Sequence, residues 1–232
     1  MQALVLAGGK GTRLRPLTRS IPKPMAPVAG VPYLEHQLRA LAAQGIVDIA
    51  LLTGYLGERI EDHFGDGARF GLRIRYSREE TPLGTGGALR RALPLLEETF
   101  LAIYGDSFLP VEYREPLELL RERGAEGVMA VCRDEAGETG VRPNVALDAA
   151  GRVARYAKDA EEARDLEYIE AGVLAFRREA VVGIPDGRAV SLEAEVFPQL
   201  IARGSLLGWL SPRRFHDIGT PERLRALERL WA

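Results

Sequence analysis

Gly8, Gly9 and Gly11 follow a short apolar run, Ala3 to Ala7, and lead into Thr12 and Arg13; further on, Lys23 stands between Pro22 and Pro24. These residue types at this spacing suit an anion. Glycine amides can approach a phosphate with no Cβ in the way. Arg13 can add a bidentate fork to phosphate oxygens. Lys23 sits on backbone stiffened by two prolines and suits a point charge aimed at developing negative charge. Only Lys10, Lys23 and Lys158 are lysines among 31 basic residues, so each lysine calls for its own explanation. The spacing matches neither G-x-x-x-x-G-K-[ST] nor G-x-G-x-x-G, so this is neither of the two familiar phosphate loops.

Two carboxylates lie where a strand is expected to hand over to a loop: Asp106 in "AIYGDS" and Asp217 in "RFHDIG". Mg²⁺ takes one or two carboxylates and completes its shell with phosphate oxygens and water, so this pair is the candidate metal site. His216 adjoins Asp217 and reads as packing or support rather than a ligand. Glu79 and Glu80 read as solvated loop charges. A second glycine cluster, Gly84, Gly86 and Gly87 in "TPLGTGG", offers a surface against which a flat ring could lie, and it is also the entry turn of a helix.

The elements that must hold these residues alternate. Ala3–Ala7 and "VDIALLT" are continuous apolar runs, as strands covered on both faces would be. "YLEHQLRALAAQG" puts Leu34, Leu38 and Leu41 on one helical face, and "LGERIEDHFG" does the same with Leu56, Ile60 and Phe64. The alternation runs to about residue 134 and predicts an α/β fold with a mostly parallel sheet, in which ligands bind beyond the carboxyl ends of the strands. In the second half, "NVALDAAGRVARYAK" reads as two strands around a tight turn, "SLEAEVFPQLIARG" as a helix and "TPERLRALERLW" as a closing helix, so antiparallel additions follow the parallel core. No Gly/Ser linker divides the chain. It reads as a single domain over 1–232, in two halves, 1–134 and 135–232.

Composition bounds the rest. Of the 232 residues, 46% are hydrophobic and 28% charged, ordinary for a soluble globular protein. A net charge of −2 gives no basic surface for nucleic acid or anionic membrane. The single cysteine, Cys132, excludes an internal disulfide and a cysteine-rich zinc site. No apolar run approaches the roughly 20 residues of a membrane span, and the first residues do not resemble a signal peptide, which points to a cytoplasmic location.

The stretch "LAGGKGTRLRPLTRSIPKPMAPVAGVPYLEHQL" resembles the signature of the sugar-1-phosphate nucleotidyltransferases, or nucleotidyl-sugar pyrophosphorylases. The resemblance continues in "TPLGTGGALRRAL", "GDS", "FHDIGTP" and, more loosely, "RVARYAKD", and so spans nearly the whole chain. It is strongest to the short guanylyltransferases acting on heptose 1-phosphate or mannose 1-phosphate. It implies a Rossmann-like three-layer sandwich with a mixed, mostly parallel sheet, a nucleotide-binding half (1–134), a sugar-phosphate-binding half (135–232) and no C-terminal β-helix domain. It also implies that Leu6, Ala7, Gly8, Gly9, Gly11, Thr12, Arg13, Pro82, Gly84 and Gly87 bind nucleotide, that Arg13, Lys23 and Asp106 are catalytic, and that Asp106 and Asp217 hold Mg²⁺. Lys158 would contact the sugar phosphate, with Glu170 and Gly172 beside the sugar.

Three departures from the family pattern cluster on the acceptor side. Ala157-Lys158-Asp159 stands where similar enzymes carry Glu-Lys-Pro, Glu170 where they commonly have Asn, and Pro143 where they often place a glycine, with Gly140 nearby. The expected partners are therefore a nucleoside triphosphate and a sugar 1-phosphate, with homo-oligomerisation open. The favoured subtype is a guanylyltransferase on a manno-configured sugar. A uridylyl-, thymidylyl- or cytidylyltransferase on another phosphorylated acceptor is the rival enzyme, and a non-catalytic subunit that binds nucleotide-sugar is the rival from another class.

Overall fold

The structure, a computed structural model, describes residues 1–134, 137, 139–157 and 166–231. Its main strands are β1 (Gln2–Leu6), β2 (Asp48–Thr53), β3 (Arg73–Arg78), β4 (Thr99–Tyr104), β5 (Ser107–Phe108), β6 (Gly127–Cys132), β7 (Val145–Leu147), β8 (Val153–Tyr156), β9 (Ile169–Arg177), β10 (Leu206–Leu210) and β11 (His216–Asp217). The main helices are α1 (Tyr33–Ala43), α2 (Gly57–Phe64), α3 (Gly84–Arg91), α4 (Arg114–Arg123), α5 (Phe197–Ala202) and α6 (Pro221–Trp231). The chain forms two compact units. One comprises Met1–Pro82, Ile103–Phe108 and His216–Ala232; the other comprises Leu83–Ala102 and Leu109–Phe215.

In the first unit β1 pairs in parallel with β2 from Gln2↔Asp48 to Leu6↔Leu52, and β2 pairs in parallel with β3 from Asp48↔Arg73 to Thr53↔Arg78. The end of β4 lies on the other side of β1. Ala3, Leu4, Val5, Ile49, Ala50 and Leu51 are fully buried, which explains their unbroken apolar runs. Helix α1 buries Leu34, Leu38 and Leu41, and Gly45 closes it at φ 73, a left-handed value that glycine adopts without strain. Helix α2 buries Ile60 and Phe64, but Leu56 precedes it as its N-cap, at φ 53, instead of continuing the apolar face. Ala26, Val28, Tyr33, Ile218 and Leu227 form a small core, with Phe108 and Trp231 packed against it. That core fastens α6 to the neighbours of Asp217.

In the second unit the strand order is β10–β6–β9, with the start of β4 next to β9. β10 runs parallel to β6, whereas β9 is antiparallel to it. β7 and β8 pair antiparallel, as the sequence predicts. The sheet is therefore mixed and mostly α/β in its connections. Cys132 is a buried free thiol on β6, and burial raises its pKa. The helix expected over "SLEAEVFPQLIARG" is two pieces: a π-helical turn, Leu192–Val196, then α5. Pro198 lacks an N–H, so the regular ladder cannot run through this point. Among the described residues, no helix is long and apolar enough to cross a membrane.

Candidate active site

The site is built in the first unit, at the carboxyl ends of its strands. β4 stops at Tyr104, and Asp106 lies in the turn that leads into β5 rather than at the strand's last position. The Gly105 amide donates to the Leu6 carbonyl at 3.0 Å, and a Cβ on Gly105 would come within 2.7 Å of that oxygen, so only glycine fits. Gln37 of α1 is fully buried. Its Nε2 donates to the carbonyls of Tyr104 at 3.0 Å and Ser107 at 2.8 Å, which brackets the turn from both sides. Ser107 Oγ donates to Asp106 Oδ1 at 3.2 Å.

The Asp106 carboxylate is ion-paired with Lys23 Nζ. The Lys23 side chain is only 11% exposed, so solvent screens the pair less than a surface pair. Lys23 opens a single 3₁₀ turn, Lys23–Met25, held by the Met25 amide on Pro22 and the Ala26 amide on Lys23. Its stem lies against the glycine loop. Gly11 sits at φ 59, and a Cβ there would be 2.8 Å from Lys23 Cβ. Gly11 is therefore required twice, for its backbone angle and for the approach of Lys23. The buried Thr18 fixes the same point, donating from Oγ1 to the Gly11 carbonyl at 2.8 Å.

Asp217 arrives from the other end of the chain. β11 pairs antiparallel with β5, His216 opposite Phe108 and Asp217 opposite Ser107. Asp217 Oδ1 accepts from the Gly219 amide at 2.6 Å, and Oδ2 accepts from Arg223 Nη1 at 3.0 Å. A Cβ on Gly219 would lie 2.6 Å from Asp217 Oδ1 and 3.5 Å from Arg13 Nη2. Arg13 and Asp217 thus converge on one glycine. The first unit therefore brings together Gly11, Arg13, Lys23, Asp106 and Asp217. Among the described residues no group of three or more His, Cys, Asp or Glu is placed to hold a metal. A divalent ion here would rest on the two aspartates and draw its remaining ligands from substrate and water, a donor set that suits Mg²⁺.

The rest of the glycine loop starts from buried backbone. The Ala7 amide donates to the Leu52 carbonyl at 2.8 Å, and the Tyr55 amide to the Gly8 carbonyl at 3.2 Å. Leu6 is half-buried and Ala7 buried, whereas Gly9 and Lys10 are exposed, with open space where a Gly9 Cβ would go. Thr12 begins a 3₁₀ turn that carries Arg13. Glu79 corrects the sequence reading. It is not a solvated loop charge: it is half-buried, and its Oε1 lies 2.9 Å from where a Gly8 Cβ would be. Glu80 is exposed, as expected.

Pro82 is exposed at the end of the first unit. Gly84 and Gly87 belong to the second, where they have a packing reason to be glycines. A Cβ on Gly84 would be 2.5 Å from the Val190 carbonyl, and one on Gly87 would be 3.0 Å from that of Arg188. The amides of Gly86 and Gly87 also donate to Val190.

Glu170 and Gly172 lie on β9, where the pairing register with β6 shifts between Glu170 and Leu174 and Gly172 takes φ 75. Asn144 Oδ1 accepts from the Glu170 amide at 2.9 Å, and Tyr156 Oη donates to Glu170 Oε2 at 2.9 Å. Burial, and then the neighbouring Glu170 charge, push the Tyr156 hydroxyl's pKa far up, so it stays a donor. Lys158 lies outside the described residues.

Sequence reasoning missed Gln37, Gly219, Arg223, Asn144 and Tyr156. Gln37 had one visible signal, an amide on a helix otherwise patterned for burial. Gly219 and Arg223 act on Asp217 from only two and six residues away, whereas Asn144 and Tyr156 reach Glu170 from more distant segments.

The sequence profile of the nucleotidyl transferase family matches residues 2–230. The chain is 40% identical over 225 residues to the mannose-1-phosphate guanylyltransferase of Mycobacterium tuberculosis, covering 96% of this chain and 62% of that protein. It is 34% identical over 221 residues to the UTP–glucose-1-phosphate uridylyltransferase of Synechocystis sp., covering 88% of this chain and 56% of that one. The chain thus spans less than two thirds of the length of these relatives. Among solved structures, HddC from Yersinia pseudotuberculosis complexed with GMP-PN superposes with a TM-score of 0.84 at 25% identity, over 100% of this chain and 99% of that chain. Sequence signature, α/β fold and profile agree, and the chain belongs to the nucleotidyl transferase family.

Proposed function

We propose that the protein transfers a nucleotidyl group from a nucleoside triphosphate to a sugar 1-phosphate, giving a nucleotide-sugar and pyrophosphate. The observation that carries this reading is the Lys23–Asp106 ion pair packed against Gly11, with Arg13 and Asp217 meeting at Gly219. Cations, loop amides and two carboxylates are what a polyanionic substrate with a divalent ion needs.

In the proposed reaction a phosphate oxygen of the sugar 1-phosphate forms a bond to the α-phosphorus. The bond from that phosphorus to the bridging oxygen of the β-phosphate breaks in line, and pyrophosphate leaves with the electron pair. The attacking group is already an oxyanion near neutral pH, so the step needs no protein nucleophile or general base. Loop amides from Gly8 to Gly11 bind the triphosphate, with the flanking Leu6, Ala7 and Thr12 shaping the loop. Arg13 and Lys23 offset the charge that builds on the leaving group. Asp106 and Asp217 would hold Mg²⁺, which supplies charge neutralisation and orientation between the two anions. Lys158 would hold the sugar phosphate, Glu170 and Gly172 would border the sugar, and Pro82, Gly84 and Gly87 would lie near the base.

The favoured subtype is guanylyl transfer to a manno-configured sugar 1-phosphate. It is supported by the 40% identity to a mannose-1-phosphate guanylyltransferase and by the likeness to a protein crystallised with GMP-PN. The 34% identity to a uridylyltransferase favours a second reading, with UTP as donor. Pyrophosphate release, measured over a matrix of nucleoside triphosphates and sugar 1-phosphates, tests both. Release with GTP and mannose or heptose 1-phosphate is expected. Release confined to another nucleotide would replace the subtype, and none with any pair would overturn the activity.

A further inference from the structure

Gln37 is an amide on a helical face built for burial. Leu34, Leu38 and Leu41 share that side of α1, and like Gln37 they are fully buried. Only an NH₂ group can give one hydrogen to each of two carbonyls, and Nε2 does so, to Tyr104 at 3.0 Å and to Ser107 at 2.8 Å. Oε1, by contrast, is buried with no hydrogen-bond partner among the described residues, which costs folding free energy. The amide is therefore half-used: both donors are engaged and the acceptor is not. What the donors hold accounts for it.

They hold both acids. Asp106 lies in the turn between the two gripped carbonyls. Ser107 is also the residue that Asp217 faces across the β5–β11 ladder, and the Ile218 amide, next to Asp217, donates to the Asp106 carbonyl at 3.0 Å. A shift of Ser107 therefore moves Asp217 together with Asp106. The anchor is itself fixed. At the start of α1 the Tyr33 amide donates to the Ala26 carbonyl at 2.9 Å, and Ala26 closes the turn that carries Lys23. His36 Nε2 lies 2.9 Å from the Val28 carbonyl, and its ring packs on Trp231 of α6 with 4.6 Å between centroids. One helix thus ties together the segments that bring Lys23, Asp106 and Asp217.

We propose that Gln37 is a positioning residue for this site. By holding the Tyr104 and Ser107 carbonyls it sets the spacing and aim of the Asp106 and Asp217 carboxylates, and with them the affinity for the divalent ion they would share. The proposal rests on the nucleotidyl-transfer reading above and deepens it.

The test uses Gln37→Met, which keeps the length of the side chain and removes both donors. Its control is Leu41→Val, which loosens the same helix one turn further along. Mn²⁺ binding without nucleotide is followed by water-proton relaxation, beside thermal melts and pyrophosphate release over a Mg²⁺ titration. Losing a group that orients a metal ligand costs about 10–100-fold in metal affinity or activity, so Gln37→Met should weaken Mn²⁺ binding by roughly that factor. It should also raise the Mg²⁺ needed for half-maximal release. Leu41→Val should melt earlier and bind Mn²⁺ as wild type does. If Gln37→Met does not fold, Gln37→Glu, of the same shape but with at most one donor, should show the same weakening. A folded Gln37 variant with wild-type Mn²⁺ affinity overturns the proposal. So does Mn²⁺ binding that Asp106→Asn leaves unchanged, and so does an equal weakening in Leu41→Val, which would make the effect one of general loosening. If Gln37→Met weakens Mn²⁺ binding but wild type releases no pyrophosphate with any substrate pair, the transfer reading fails while the role of Gln37 stands.

Discussion

Asp217 is one residue removed from Asp106 across a two-strand ladder: it pairs with Ser107, and the next amide, Ile218 N–H, donates to the Asp106 carbonyl at 3.0 Å. Two acids far apart in the sequence are thereby fixed by backbone hydrogen bonds, not by side-chain packing alone. Ile218 is fully buried in the core that holds α6, so the position of Asp217 depends on the closing helix. Each acid also has its own cation, Lys23 for Asp106 and Arg223 for Asp217.

Asp106→Asn keeps the shape of the side chain and removes its charge. It takes away the partner of Lys23 and one of the two proposed metal ligands. Turnover should fall on the order of 10²–10³-fold, the usual cost of removing a preorganised electrostatic group, and more Mg²⁺ should be needed for half-maximal rate. A Mg²⁺ titration of pyrophosphate release checks this. An unchanged metal dependence would remove Asp106 from the metal site.

Gly219→Ala would put a Cβ 2.6 Å from Asp217 Oδ1. The carboxylate must move, and with it the point where Arg13 and Asp217 meet. A misplacement of this size should lower kcat/KM by about 10²-fold, with little loss of folding cooperativity. Steady-state kinetics beside a thermal melt would separate the two effects; full activity would mean that Asp217 need not hold this position.

Glu35 gives a prediction for pH. Burial pushes its pKa up, but hydrogen bonds from His63 at 3.0 Å and Arg39, with their charges, outweigh this and leave it below 4.5. A folded-state pKa that is lowered means a stabilising contribution that is complete above the unfolded value and lost as pH falls through the folded one. Glu35→Gln should therefore cost about 1–3 kcal/mol near pH 7, and the difference should shrink as the pH is taken below 4.5. Urea melts at several pH values check the sign; a difference that grows on acidification would contradict it.

Strands β1 and β2 could be read from sequence, because a buried parallel strand needs an unbroken apolar run. Leu4 and Leu51, both fully buried, show this directly. Asp217 does end a strand, whereas Asp106 lies two residues beyond the end of β4. What could not be read is where a side chain goes once it leaves its own element. Glu79 looked solvated because its sequence neighbours are polar, yet Gly8 and Gly54 make room for it from two other strand ends. Gln37 grips a turn that only the folded chain brings to it. The glycines of "TPLGTGG" illustrate the same limit, since the 188–190 segment that packs on them is remote in sequence.

Glu170→Asn tests the acceptor side. Glu170 is held by the Tyr156 hydroxyl at 2.9 Å, so its carboxylate has a set orientation. The substitution should change the order of preference among sugar 1-phosphates by roughly 10-fold or more, while the order among nucleotides stays the same. Competing-substrate assays read both orders. A change in base preference instead would show that Glu170 does not border the sugar.

In the proposed reaction the lysine held beside Gly11 acts on charge that develops during transfer. Single-turnover pyrophosphate release by wild type and Lys23→Ala, with circular dichroism to confirm folding, tests it most directly. A loss on the order of 10²–10³-fold in the rate of the chemical step is predicted for the folded variant. A folded Lys23→Ala protein that releases pyrophosphate at the wild-type rate would rule out this role for Lys23.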